Sequence, residues 1–321
     1  GVGINALGSV VHGDMNGIQI TGLANLAGGT MRGVQLAGIS NISGDNTVGL
    51  SAAGLVNITG DKAQGVVISG LTSIGGDNNS GLMISGFMNV TGNMASGLQF
   101  SGAANITGQS FGGLMASGLL NVVGEHMNGL QIAGIANITA SKLNGVQVAL
   151  CNYATKARGL QIGLVNYYKE DMKGFQLGLV NANPDTKVQM MVYGGNATPA
   201  NIGVRFKNQL FYTILGVGSM YQGLNDKFSA SASYRAGLSF PLYKGLSISG
   251  DLGYQYIEAF DNKDEVIPKR LYALQARANL EYQFTRKFGI FATGGYGLTR
   301  FYNKSSNYDK GAIIEAGIVL F

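Results

Sequence analysis

The chain has a single cysteine, Cys151, so no internal disulfide can form. An isolated cysteine of this kind reads as a small buried hydrophobe rather than a nucleophile. Proline is nearly as scarce, with four in 321 residues, which excludes a proline-rich linker. Nowhere do eighteen apolar residues run together, so no helix of this sequence spans a bilayer. Charged residues make up 12%, too few for a chain kept disordered by charge. The sequence opens without an initiator methionine or a signal-peptide pattern, which reads as a processed or trimmed chain. His12 and His126 lack metal-ligand or triad spacing and read as turn residues.

Tyrosine is absent from residues 1–150, and all 15 tyrosines follow. Those first 150 residues hold three basic side chains against five acidic ones, a net of −2. The remainder holds 19 basic and 12 acidic residues, a net of +7. The positive excess is scattered over turns rather than gathered on one face, which argues against nucleic acid as a partner.

What the front half has in abundance is glycine, on a fixed register. Gly17, Gly33, Gly49, Gly65, Gly81, Gly97, Gly113, Gly129 and Gly145 recur every sixteen residues. A second series sits five places on (Gly22, Gly38, Gly54, Gly70) and a third eleven places on (Gly28, Gly44, Gly60, Gly76). A period of sixteen is not that of collagen; it marks a stacked repeat. Taking the first glycine as unit position one, position nine is an asparagine column: Asn25, Asn41, Asn57, Asn89, Asn105, Asn121 and Asn137, interrupted by Ser73. Positions two, four, seven and ten are apolar, as in Ile18, Ile20, Leu23 and Leu26, and this spacing predicts them to be the inward set. The favoured architecture is a β-solenoid of about eleven coils of 14–16 residues, with corners at the glycines. Coils about 4.8 Å apart give a rod of about 50 Å. The asparagines then form a ladder of amides bonding from coil to coil. The alternative makes each unit a membrane strand plus a turn, but membrane barrels carry aromatic girdles, and residues 1–150 hold only Phe87, Phe100 and Phe111.

Several motifs dissolve inside this register. Asn41, Asn57, Asn89, Asn105 and Asn137 each open a glycosylation sequon only because the ladder residue precedes a strand end. Gly44-Asp45, Gly60-Asp61 and Gly76-Asp77 lack the nine-residue spacing of calcium-binding repeats and read as Asx turns. No cofactor or metal site emerges.

Residues 1–183 are thus expected to be the solenoid and 184–321 an outer-membrane β-barrel, giving an all-β protein. After Asn183-Pro184 the period becomes two. Phe228, Ala230, Ala232, Tyr234, Ala236, Leu238 and Phe240 alternate with Ser229, Ser231, Ser233, Arg235, Gly237 and Ser239. Long strands, apolar on one face and polar on the other, are the membrane-barrel pattern. About eight are expected: 187–194, 201–207, 209–221, 228–241, 245–258, 270–284, 287–302 and 311–321. Eight strands leave a lumen filled by side chains, with Arg235, Asp251, Arg277, Glu281 and Glu315 facing it as a structural charge network. Phe240, Tyr243, Phe284 and Phe288 form one aromatic rim, and Tyr254, Tyr256, Tyr272 and Tyr296 the other. Short turns near Lys207-Asn208, Tyr243-Lys244 and 285–287 mark the periplasmic end; longer loops at 222–227, 259–270 and 303–310 mark the outside. Phe321 partly resembles the terminal aromatic of such barrels.

Gly159-Leu-Gln-Ile-Gly-Leu-Val-Asn166 and Gly174-Phe-Gln-Leu-Gly-Leu-Val-Asn181 resemble the tandem units of the surface-repeat outer-membrane proteins of Bacteroidetes and Leptospira. That resemblance implies an outer-membrane location in a Gram-negative cell and no catalytic residues. Glu258, Asp261, Asp264 and Glu265 crowd one loop without a nucleophile or base beside them and read as a solvated acidic loop. The leading expectation is a non-catalytic protein with a barrel anchor in outer-membrane lipid. Its repeat domain, periplasmic by strand parity, would be a scaffold or docking component for other envelope proteins, with no small-molecule substrate. The alternatives are one large pore with the repeats as membrane strands, or a surface adhesin.

Overall fold

The computed structural model describes residues 1–219, 221, 224, 228–260, 270–302 and 307–320. The expected loops at 222–227, 259–270 and 303–310 fall largely, and Phe321 wholly, outside them. Two compact units divide the chain, Gly1–Gly178 and Leu179–Phe321. The division precedes Asn183 because the connecting segment bonds to the second unit: Thr213 Oγ1 donates to the Leu179 carbonyl at 3.0 Å and Asn208 Nδ2 to the Asn181 carbonyl at 2.6 Å.

The first unit is a solenoid of parallel strands, not a set of antiparallel membrane strands, so the single large pore is set aside. Each sixteen-residue coil supplies one long strand and one short one, such as Ala63–Ser69 and Thr72–Gly75. Each stacks in register on its equivalent one unit away, Gly65 on Gly81 and Ser73 on Asn89. Gly65 shows why its column is glycine. Its φ is +121°, and an added Cβ would lie 2.2 Å from the Gly49 carbonyl oxygen. At the corner, Gly70 is held by sterics alone, since a Cβ there would meet Gly54 O at 1.9 Å. Where the repeat shortens, the pairing slips between Thr139 and Lys142 and between Ala154 and Lys156.

The expected inward set is inverted. Positions two, four, seven and ten face out: Leu71 is 48% exposed and Phe87 55%. Side chains stacked in one column shade one another, so such values describe outward columns. The buried positions are three, five, nine, eleven and fifteen, as in Gln19, Thr21, Asn25, Ala27 and Met31. A coil of sixteen residues encloses a thin interior. Near the sharp corner it holds Ser, Ala and Thr; toward the broad end it holds Phe111, Met115, Met127 and Leu143, which form an apolar cluster. Alternation separates two faces but does not say which one a narrow coil encloses. Cys151 is also exposed rather than buried, because it falls between inward positions.

The second unit is a closed antiparallel barrel. Its strands are β1 (Lys187–Gly195), β2 (Ala200–Asn208), β3 (Phe211–Ser219), β4 (Ser229–Tyr243), β5 (Leu246–Ala259), β6 (Arg270–Thr285), β7 (Phe288–Phe301) and β8 (Asn307–Leu320). β8 closes on β1 with Val319 opposite Met191. The turns after β2, β4 and β6 are tight, with Gln209 and Lys244 in positive-φ conformations.

Candidate functional site

Three constructions stand out: the barrel lumen, the barrel exterior and the two edges of the solenoid coil. In the lumen, inward positions of five strands bring six charges together. Arg235 on β4, 1% exposed, holds Asp251 on β5 through two bonds of 2.8 Å. Arg277 on β6 holds Glu315 on β8 through two bonds of 3.1 Å. Glu281, the remaining expected lumen residue, pairs with Arg205 on β2 at 2.6 and 3.0 Å. Arg235 Nη1 lies 3.7 Å from Glu315 and links two of the pairs. Three guanidinium groups thus meet three carboxylates, and Lys207, on the same face of β2 as Arg205, donates to Ser239 Oγ at 2.8 Å.

Neutral groups complete the network. Tyr212 and Asn279 each donate to Asp251 at 2.8 Å. Gln189 accepts from Arg205 Nε at 2.6 Å. Arg235 also lies over the Tyr193 ring at 5.8 Å. Each carboxylate is gripped bidentately by a guanidinium, the geometry of a strut rather than of a free base. Arg205 escaped the sequence reading, although it alternates with outward Ile202, Val204 and Phe206. Its partner lies 76 residues away, which no local pattern encodes.

The barrel exterior is apolar. On β5 the outward series Ile248, Leu252, Tyr254 and Tyr256 meets charge only at Glu258, which Arg270 pairs at 3.3 Å. Leu252, at mid-strand, is 72% exposed. Phe284 stacks on Phe288 at 5.8 Å near the tight-turn end. Tyr254 stacks on Tyr272 at 6.1 Å toward the other end, where Tyr302 meets Tyr272 edge-on. A charge-free apolar band between two aromatic rims is the outward face of an outer-membrane-type barrel.

Inside the solenoid the asparagines form the expected chain. Asn25 donates to Asn41 at 2.9 Å and Asn41 to Asn57 at 3.1 Å. Beyond the gap, Asn89, Asn105, Asn121 and Asn137 continue at 2.8 to 3.0 Å, and Asn137 passes the chain to Asn152 and Asn166. Each ladder amide also donates to a carbonyl of the next coil, as Asn105 does to Ala116 O at 2.8 Å. At the gap Ser69, Ser73 and Ser85 bond mutually at 2.8 to 3.0 Å, and Ser85 joins Asn89 at 2.6 Å. These asparagines are buried, so their sequons are closed to sugar. A second ladder, at position three, was missed: Gln35 bonds Gln19, and Gln131, Gln147, Gln161 and Gln176 bond in series at 2.8 Å. The recurrence of glutamine two residues after the register glycine was its visible signal.

The coil's outside is divided in two. All eight charges of residues 1–150 (Asp14, Arg32, Asp45, Asp61, Lys62, Asp77, Glu125 and Lys142) lie on the edge formed by the turn at unit positions twelve to sixteen. His12 and His126 lie there too, both exposed; His12 is in a bend, whereas His126, expected in a turn, opens the strand His126–Ala133. The opposite edge, around the Leu23 column, is apolar. Among the described residues no group of three His, Cys, Asp or Glu side chains is placed to hold a metal ion.

No family model matches the chain, and no curated protein matches it. Among solved structures, the N-terminal β-barrel domain of Pseudomonas aeruginosa OprF is similar at 16% identity with a TM-score of 0.29. The likeness covers 41% of this chain and 93% of that one.

Proposed function

We propose that this chain is a non-catalytic outer-membrane protein of a Gram-negative bacterium, of the surface-repeat kind its Gly-Leu-Gln units resemble. The barrel anchors it in lipid. The solenoid is a rigid scaffold on the periplasmic side, and its charged edge docks other envelope proteins. The observation that carries the reading is the barrel's two faces: an uncharged apolar band outside, with Leu252 outward, and a lumen in which every expected charge is paired. Such a lumen is a filled core rather than a passage. Chain direction supports the periplasmic placement. β1 and β8 meet so that the start of β1 shares an end with the tight turns after β2, β4 and β6. Tight turns face the periplasm in barrels of this class.

A protease-cleavable tag in the turn at Asp77-Asn78 tests this in intact Gram-negative cells. The protein is expected in the outer-membrane fraction, with the tag protected until the outer membrane is permeabilised. Cleavage of the tag in intact cells would replace the scaffold with a surface adhesin.

A further inference from the structure

The apolar edge of the solenoid has no partner within its own unit. No Lys, Arg, Asp or Glu occupies unit position two, four, seven, eight or ten in any coil from Gly17 to Tyr167. These columns wrap the sharp corner from both sides. On one side lie Val66 and Ile68, at the tip Leu71, and on the other Ile74. Soluble proteins rarely expose apolar surface on this scale. We infer that this edge is immersed in lipid, with the solenoid lying along a membrane leaflet and its charged edge in water. The inference builds on the reading of the chain as a membrane protein and extends it to the repeats.

Three observations favour acyl chains over a protein partner. First, charge is segregated: all eight charges of the first 150 residues sit on the opposite edge. Second, the depth fits. Four residues of strand, from position two to the corner, rise about 13 Å, and half of a bilayer's hydrocarbon core is about 15 Å. Third, the surface is uniform. Protein interfaces concentrate their binding in Trp, Tyr and Arg anchors, whereas these columns are mostly Leu, Ile and Val over about 50 Å of rod. The aromatic pair in the position-ten column, Tyr153 stacked on Tyr167 at 5.7 Å, is of the amphipathic type enriched where membrane meets water. A second copy docked on a flat face would cover one side of the wedge and leave the other exposed.

The test uses the full chain with Cys151→Ala, reconstituted in phosphatidylcholine–phosphatidylethanolamine vesicles. Single cysteines replace Leu55, Leu71, Lys62 or Leu252 and carry an environment-sensitive fluorophore. Leu55 and Leu71 are both outward on the corner, so one reports if the other misfolds. Labels at Leu55 and Leu71 are expected to lose as large a fraction of emission to acyl-chain nitroxide lipids as the label at Leu252. They are expected to be shielded from aqueous iodide, with the label at Lys62 showing the reverse. If Leu252 is quenched from lipid while Leu55 and Leu71 are quenched by iodide, the inference falls and the barrel reading stands. If both corner labels are shielded from both quenchers, protein covers the edge and the inference falls. If Leu252 itself is not quenched from lipid, the barrel reading falls on its own account.

Discussion

Replacing Gly65 by alanine tests what holds the coils in register. The residue sits at φ +121°, and its new Cβ would lie 2.2 Å from Gly49 O. Holding a non-glycine residue in such a conformation costs about 1–3 kcal/mol. Relieving the overlap means parting the coils locally and loosening about two hydrogen bonds at about 0.5–1.5 kcal/mol each. Together these weaken the coil by about 2–6 kcal/mol, and each 1.36 kcal/mol is tenfold in an equilibrium. Local opening of residues 49–85 should therefore rise by at least roughly 30-fold and up to about 10⁴-fold, which hydrogen exchange measured by mass spectrometry on the full chain reports directly. Gly112→Ala is the matched control, since a Cβ there meets nothing within 4 Å and its φ is not positive. Wild-type exchange in Gly65→Ala, or equal damage from Gly112→Ala, would refute the steric account.

The ladder and the lumen offer further tests. Asn105→Leu strips the Asn121 amide oxygen of its donor and introduces a branched side chain into a thin interior, so coils near residues 89–121 should lose about 1–3 kcal/mol; exchange confined to wild-type rates there would show the ladder to be incidental. Arg205→Met leaves Glu281 buried without its bidentate partner and should lower barrel stability by about 3–5 kcal/mol in urea unfolding. The double variant Arg205→Met/Glu281→Met should recover most of that loss, and failure to recover would mean the pair supplies more than charge balance. Cys151 should react fully with a maleimide in detergent without denaturant; a requirement for denaturant would return it to the interior.

The amino-acid order alone determined the period, the ladder and the strand count. Sixteen-residue glycine spacing is enforced at each coil by backbone contact, so it is written in composition. Strict alternation in the barrel fixed both faces, because one face pattern is apolar and the other carries Arg235, Asp251, Arg277, Glu281 and Glu315. The tertiary structure decided which face of the repeat is inside. Leu23, Leu26 and Ile18 resemble a core, but a thin coil closes on Gln19, Asn25 and Met31, whose shapes stack and whose amides satisfy one another from coil to coil. A sequence read against water assigns aliphatic columns to the interior. Only closure of the coil shows them turned outward, just as only closure of the barrel sets Arg205 against Glu281.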